Sequence, residues 1–238
     1  MARVEDHESV EGCALPSKLL YDLELDVWAR PGGDGRLLTF GIMSPLASFA
    51  GKFLEVSFRR IEGALTRGQS VATIVSARFT GAVRVPAGGQ IVERNPELSQ
   101  RPKLLNNDPY GQGWVATVDL GGSAPLPPTL RDASHVREEV VRKVREMHIR
   151  CYPAVPDVEL FEIGSECSAV LAHLDDEVAR RAPEEVILLV ADDPTAPIEL
   201  ERWRMRTGHS ILHWRKEENL YHFLVRRERA PRPSRPSP

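Results

Sequence analysis

The chain has 238 residues, which at about 150 residues per domain predicts one or two domains. Hydrophobic residues are 42% and charged residues 27%, a globular balance with enough apolar material for real cores. Its 31 basic and 34 acidic side chains leave a net charge of −3, which excludes the global basic field of a nucleic-acid or anionic-membrane binder.

No apolar run approaches the roughly 18 residues of a membrane span, and the acidic opening residues lack the apolar stretch of a signal peptide. Cys13, Cys151 and Cys167 are too few and too scattered for a disulfide framework or a four-ligand zinc site. The chain therefore reads as cytoplasmic, with reduced thiols.

Residues 1–19 are polar without a clear period and are expected to form a loose arm. Over 20–120 short apolar runs alternate with glycine: Leu37–Ile42, Phe53–Phe58, Val71–Val75 and Ile91-Val92. Such β-rich runs between Gly and Pro punctuation predict an all-β sandwich or flattened barrel. The stretch Gly121–Pro128 breaks all pattern and reads as a linker, partly stiff because of its prolines. Asp132 or Ser134 caps a helix running to about His148, completing a linker-and-helix segment over 121–150. Val136, Val140, Val144 and Met147 share one face, with Glu138–Arg142 and Glu139–Lys143 pairs on the others.

A second domain is predicted over 151–228. Strand Val158–Ile163 leads to a helix over Ser168–Arg181, then strand Glu185–Val190, a turn at Asp192-Asp193-Pro194 and a helix over Pro197–Arg206. Thr207-Gly208 stops that helix. Strands Ser210–Trp214 and Tyr221–Val225 complete a βαβαββ order, a two-layer α/β sandwich. Residues 229–238, basic and proline-rich, read as a disordered tail.

Specific segments of the first half resemble the H protein of the glycine cleavage system. Leu104-Leu105-Asn106-Asn107-Asp108-Pro109-Tyr110-Gly111-Gln112-Gly113-Trp114 follows that family's "L-V-N-x-D-P-Y-G-x-G-W". Arg94–Leu98 fits the preceding "V-N-x-x-L", Trp28-Ala29-Arg30 with Gly33-Asp34-Gly35 fits the opening hairpin, and Phe40-Gly41-Ile42 fits a strand end. The resemblance implies a lipoyl-type β-sandwich. It also implies a hairpin tip carrying a lipoyl arm on the lysine of a Glu-Ser-Val-Lys-Ala motif. Here that segment reads Val75-Ser76-Ala77-Arg78-Phe79, so the lysine position is Arg78. A guanidinium stays protonated and is a poor nucleophile, and no lysine lies between Lys52 and Lys103. No lipoyl attachment is therefore expected. Two readings of Arg78 stand: a solvated tip charge or, with Arg84, a recognition surface for an anionic or protein partner. The Asp108–Gly111 turn reads as structural, with Trp114 filling the core.

The second half resembles the small TusA-like sulfur-carrier proteins. Ala182–Pro194 is similar to their "A-P-G-E-V-L-x-V-x-A-D-D-P", Trp203–His209 to "W-x-x-x-T-G-H", and Tyr221–Arg226 to their last strand. That family carries a persulfide on the cysteine of a C-P-x-P motif, which falls at Cys167, in Cys167-Ser168-Ala169-Val170. The cysteine is kept and both prolines are absent. A helix N-terminus favours the thiolate, Glu166 works against it, and the alternative is a buried small apolar residue. Cys151 is either packing or a second thiol able to take the sulfur or form a disulfide. His209, His213 and His222 read as surface or core residues. The Asp175-Asp176 and Asp192-Asp193 pairs read as helix and turn charges, with no metal site.

Two functions stand side by side. The first is a non-lipoylated fusion acting as a sulfur carrier or sulfur-transfer adaptor, with a transient persulfide on Cys167 and the lipoyl-like domain docking a protein partner. The second is a non-catalytic scaffold of a glycine-cleavage-like or lipoate-linked complex. A true H protein of glycine decarboxylation is a third, against which Arg78 argues. None of these implies catalytic turnover, a metal, nucleic-acid binding or membrane association.

Overall fold

The computed structural model describes residues 7–122 and 125–229, which fall into two compact units divided between Val155 and Pro156. Of the expected tail only residue 229 is described, and 123–124 of the linker and 1–6 of the arm also lie outside the described residues.

The first unit begins with a hairpin, β1 (His7–Val10) and β2 (Cys13–Pro16). Its two-residue turn places Glu11 and Gly12 at φ 51° and 80°, the doubly left-handed geometry that matches strand twist. The loose arm expected over 1–19 is thus corrected over residues 7–19: Val10, Cys13 and Leu15 are buried, and that apolar face holds the hairpin down. Strands β3 (Leu20–Asp22), β4 (Val27–Pro31) and β5 (Leu37–Ile42) follow, then helix α1 (Ser44–Ala50). Next come β6 (Phe53–Phe58), β7 (Ser70–Ser76), β8 (Thr80–Arg84), β9 (Gln90–Arg94), the short helix α2 (Leu104–Asn107), β10 (Trp114–Asp119), β11 (Arg131–Asp132) and α3 (Ala133–Glu146).

Six strands form one sheet in the order β11-β3-β4-β5-β10-β9, and β6-β7-β8 form a second. The period-2 runs bury Leu38, Phe40 and Ile42 of the first sheet and Ile74 and Val83 of the second in one core cluster.

The helix predicted from Asp132 is α3, and the Asp132 carboxylate accepts from the His135 N–H as its N-cap. Val136, Val140 and Val144 bury its stripe against the hairpin, Tyr21 and Trp28. The helix therefore belongs to the first unit rather than to a connector over 121–150. Met147 is 42% exposed, because α3 ends at Glu146 before the next turn would carry it inward. The expected Glu139–Lys143 pair is also replaced. Arg131 takes Glu139 in two bonds of 2.6 and 2.9 Å, and Lys143 pairs with Asp26.

Two of the three thiols expected to be reduced are bonded to each other, Cys13 to Cys151. A separation of 138 residues hid this partnership; the fold closes it because α3 returns along the hairpin. Cys151 thus lies in the first unit, and the domain start expected at 151 moves to the Val155/Pro156 division.

The second unit comprises β12 (Val158–Glu162), α4 (Cys167–Arg180), β13 (Val186–Ala191), α5 (Ala196–Thr207), β14 (Ser210–Glu217) and β15 (Leu220–Arg226). Its sheet order is β12-β13-β15-β14, with β12 parallel to β13 and the other pairs antiparallel. Val170, Leu174 and Val178 of α4 and Leu200 and Trp203 of α5 pack on Ile187, Leu189, Phe223 and Val225. Gly208, at φ 76°, closes α5 by donating to the Arg204 carbonyl. The chain is thus a β-rich unit followed by an α/β unit. Among the described residues no helix is long and apolar enough to cross a membrane.

Candidate functional site

Residues 77–79 turn the chain from β7 into β8, and the turn is built around one buried hydroxyl. Ser76 Oγ donates to the Ala50 carbonyl at 2.7 Å. It accepts from the Arg78 and Phe79 N–H groups at 3.3 and 3.1 Å. Arg78 is exposed at the tip, yet its side chain does not project as an arm. A guanidinium nitrogen donates to the Ser48 carbonyl at 3.3 Å. The group lies over Gly51, where even a Cβ would come within 3.0 Å of Nε. The neighbouring Phe79 meets Phe49 of α1 edge to face, with ring centroids 6.2 Å apart.

At the end of α1 the Ala47 carbonyl accepts from the Gly51 N–H at 3.2 Å, and side chains from elsewhere in the chain add to it and reach the carbonyls that the helix itself leaves open. Asn106 Nδ2 donates to the Ala47 and Gly51 carbonyls at 3.1 and 2.8 Å, and its Oδ1 accepts from the Phe53 N–H at 3.0 Å. With Ser76 and Arg78, three side chains cap α1 and fix the tip on it. Asn106 carried no signal in sequence beyond its place in a motif, since its partners lie more than fifty residues away. Arg84 is not brought to this tip. It pairs with Ser70 at the far end of β8, six residues from Arg78 and so about 20 Å along the strand.

The Asp108–Gly111 turn is structural, as its residue types suggested. Trp28 Nε1 donates to the Pro109 carbonyl at 2.8 Å, and Arg30 to the Tyr110 carbonyl at 2.7 Å. The Tyr110 hydroxyl donates to the Ala14 carbonyl at 2.7 Å and accepts from the Ser44 N–H at 3.0 Å, and burial pushes its pKa up to about 12. A side chain at Gly113 would meet the Leu104 carbonyl at 2.6 Å, so only glycine fits. The core-filling indole, however, is Trp28, fully buried, while Trp114 is half-buried.

Cys167 is the first residue of α4 and is free and partly exposed. It stands at the carboxyl end of the parallel β12–β13 pair, facing the turn that precedes α5. The expectation of a thiolate favoured by the helix end is corrected. Burial pushes the thiol up, and the Asp193 carboxylate adds to this by charge and by accepting its proton; a bond from Thr195 works in the opposite sense. The repelling neighbours are Asp193 and Glu199, not Glu166. Asp192 and Asp193 hold turn backbone, accepting from the Gly164 and Thr195 N–H groups at 3.0 and 2.7 Å. Asp175 is more than a solvated helix charge, since it accepts the Trp203 indole hydrogen at 2.6 Å. Among the described residues no three His, Cys, Asp or Glu side chains are placed to hold a metal ion.

Residues 19–142 match the sequence profile of the family described as "Glycine cleavage H-protein". The "Glycine cleavage system H protein 5" of Aquifex aeolicus is 36% identical over 146 residues, spanning 60% of this chain and 97% of that protein. The chain belongs to the glycine cleavage H-protein family. The H protein of Vibrio vulnificus is 32% identical over 129 residues, 54% of this chain and 98% of its own length. A crystal structure of the H protein from Mycobacterium marinum covers 53% of this chain and 98% of its own, at 26% identity and a TM-score of 0.45. In this H-protein-family chain the matched region ends within α3, so the α/β unit lies outside it.

Proposed function

We propose that this chain is an armless H-protein-family module, a non-catalytic docking scaffold for a lipoate-linked or glycine-cleavage-like protein complex. The observation that carries this reading is Arg78. By the motif resemblance of Val75–Phe79 it stands for the arm lysine, and in support of an armless tip its guanidinium is engaged with the Ser48 carbonyl at the end of α1. Lipoylation needs a neutral amine to attack an activated carboxyl, and a guanidinium does not supply one. The stretch between Lys52 and Lys103 offers no substitute. The chain would be tested by incubation with a lipoate ligase, ATP and lipoate, followed by intact mass. The native chain is expected to stay unmodified and Arg78→Lys to gain a lipoyl group. A lipoyl mass on the native chain overturns the reading.

Sulfur transfer on Cys167 is the second reading. Its support is positional: a free, part-exposed sulfur opens α4 at the carboxyl ends of two parallel strands, in a segment whose residues resemble TusA-like carriers. In that reading the H-protein-like unit docks the partner and Cys167 carries a transient persulfide. The raised pKa of the thiol opposes it. Intact mass of the protein from its native host, before and after a reductant, decides: a reducible sulfur gain lost in Cys167→Ala supports the carrier, and an unmodified Cys167 leaves the scaffold.

A further inference from the structure

The first unit holds a feature that neither reading uses, at the end of its three-stranded sheet away from the Arg78 tip. Val83 and Val85 belong to the core cluster, and Arg84 between them is exposed on the outer face of the sheet. Its partner across β7 is Ser70. On the other side of β7, the Arg59 N–H donates to the Val71 carbonyl at 3.0 Å, which carries the β6–β7 pairing one residue past Phe58. Val56 and Phe58 pack on the core, so alternation places Arg59 on the outer face after the exposed Glu55 and Ser57. Arg59 and Arg84 therefore stand on the two strands that flank Ser70, two strand spacings apart, about 10 Å. Arg60, also exposed, continues the cationic edge.

Arg36, Arg101 and Arg145, exposed elsewhere in this unit, are each held by an acid: Asp119, Glu97 and Glu11. Arg59, Arg60 and Arg84 make no ion pair and no side-chain hydrogen bond among the described residues. Glu62, exposed two residues beyond Arg60, is not drawn to them. Like charges gathered without a counter-charge repel one another, and an anion set between them relieves that repulsion.

We propose that this corner of the sheet docks a carboxylate-rich segment of a protein partner. The proposal deepens the docking-scaffold reading and rests on it. The sign of the partner follows from three cations without an acid, and its class follows from the face around them. The next row of the sheet is Ser57, Thr73 and Ala82. These small side chains leave the surface open to a peptide and offer no ring on which a base could stack. The chain's net charge of −3 also opposes a long phosphate backbone. A guanidinium takes a carboxylate through two parallel N–H donors, so Arg59 and Arg84 call for at least two carboxylates on the segment. With so little apolar surface in this row, the contact is carried by charge and weakens as salt rises.

The test titrates the full chain with poly-L-glutamate and follows its backbone amide resonances. The Arg59, Ser70 and Arg84 signals are expected to shift together, and less at high salt. Arg59→Gln with Arg84→Gln is expected to weaken binding about tenfold, the worth of two exposed ion pairs, while an unchanged Trp28 indole resonance reports an intact fold. Arg101→Gln, which removes an exposed arginine elsewhere in the unit, should leave binding as it is. Absence of shifts at Arg59 and Arg84, or binding that the double variant keeps, overturns the proposal. An oligothymidylate that binds the same residues more tightly than poly-L-glutamate overturns the protein segment as occupant and assigns the corner to nucleic acid. Lipoylation of the native chain would overturn the armless scaffold and leave this titration untouched, so the two failures are distinguishable.

Discussion

Cys13 of the opening hairpin is bonded to Cys151, which follows α3, closing a loop of 138 residues. The bond sits in the cluster that holds α3 on Tyr21 and Trp28, with both cysteines buried. Cross-links that close long loops constrain the unfolded chain most, and native ones contribute typically about 2–4 kcal/mol. Cys13→Ser with Cys151→Ser is therefore expected to lower the stability of the first unit by about that amount and to leave the second unit's transition in place. Chemical denaturation followed by probes in each unit checks this. Three titratable thiols in the denatured, unreduced chain would show that the bond does not form.

Asn106 makes three hydrogen bonds that join α2 to the end of α1 and the start of β6. Truncating it takes a side-chain partner from the Gly51 carbonyl and the Phe53 N–H in a part-buried setting, while the Ala47 carbonyl keeps its bond from the Gly51 N–H. Each such group costs about 1–3 kcal/mol when water cannot replace the bond. Asn106→Ala is expected to destabilise the first unit by about 2–4 kcal/mol and to speed hydrogen exchange at Phe53. Asn106→Asp keeps the acceptor for the Phe53 N–H but turns a carboxylate oxygen toward the Ala47 and Gly51 carbonyls, so at neutral pH it should destabilise at least as much as Asn106→Ala.

Gly41 lies against the face of the buried Trp28 indole. A Cβ there would approach Trp28 Nε1 to 2.9 Å, the same nitrogen that donates to the Pro109 carbonyl at 2.8 Å. Gly41→Ala must push the ring away from that carbonyl. Overpacking of this kind costs about 1–3 kcal/mol, and near-ultraviolet circular dichroism should change with it. Unchanged stability and an unchanged Trp28 signal would mean that the indole has room to move.

What could be read in sequence was local. The cap at Asp132, the Val136–Val140–Val144 stripe, the stop at Gly208 and the strand Leu37–Ile42 each depend on residues within one or two turns of one another. The Tyr110 turn was legible as structural because Pro and Gly constrain backbone by themselves. The rest depended on chain brought back from a distance. The Cys13–Cys151 bond, the Asn106 brace and the seating of Arg78 on Ser48 span 138, 59 and 30 residues, and no periodicity encodes them. The opening hairpin was missed for a related reason, since its apolar face acquires meaning only once α3 is there to cover it.

Cys167 is where pH gives the sharpest reading. Burial first, and the Asp193 charge second, favour the protonated thiol, while the bond from Thr195 partly offsets them. At neutral pH the sulfur is therefore expected to alkylate more slowly than a free thiol, with a rate that rises with pH to a midpoint above the free-thiol range. Asp193→Asn removes one repulsion and should lower that midpoint without reaching the free-thiol value, because burial remains. The sign for stability follows. A thiol whose folded pKa is raised contributes fully below its unfolded pKa, and that contribution is lost as pH rises through the folded value. Mild alkaline destabilisation, relieved in Cys167→Ala, is the expected result. An alkylation midpoint below that of a free thiol would reverse the argument, placing a stabilised thiolate at the start of α4 and strengthening the sulfur-transfer reading over the scaffold.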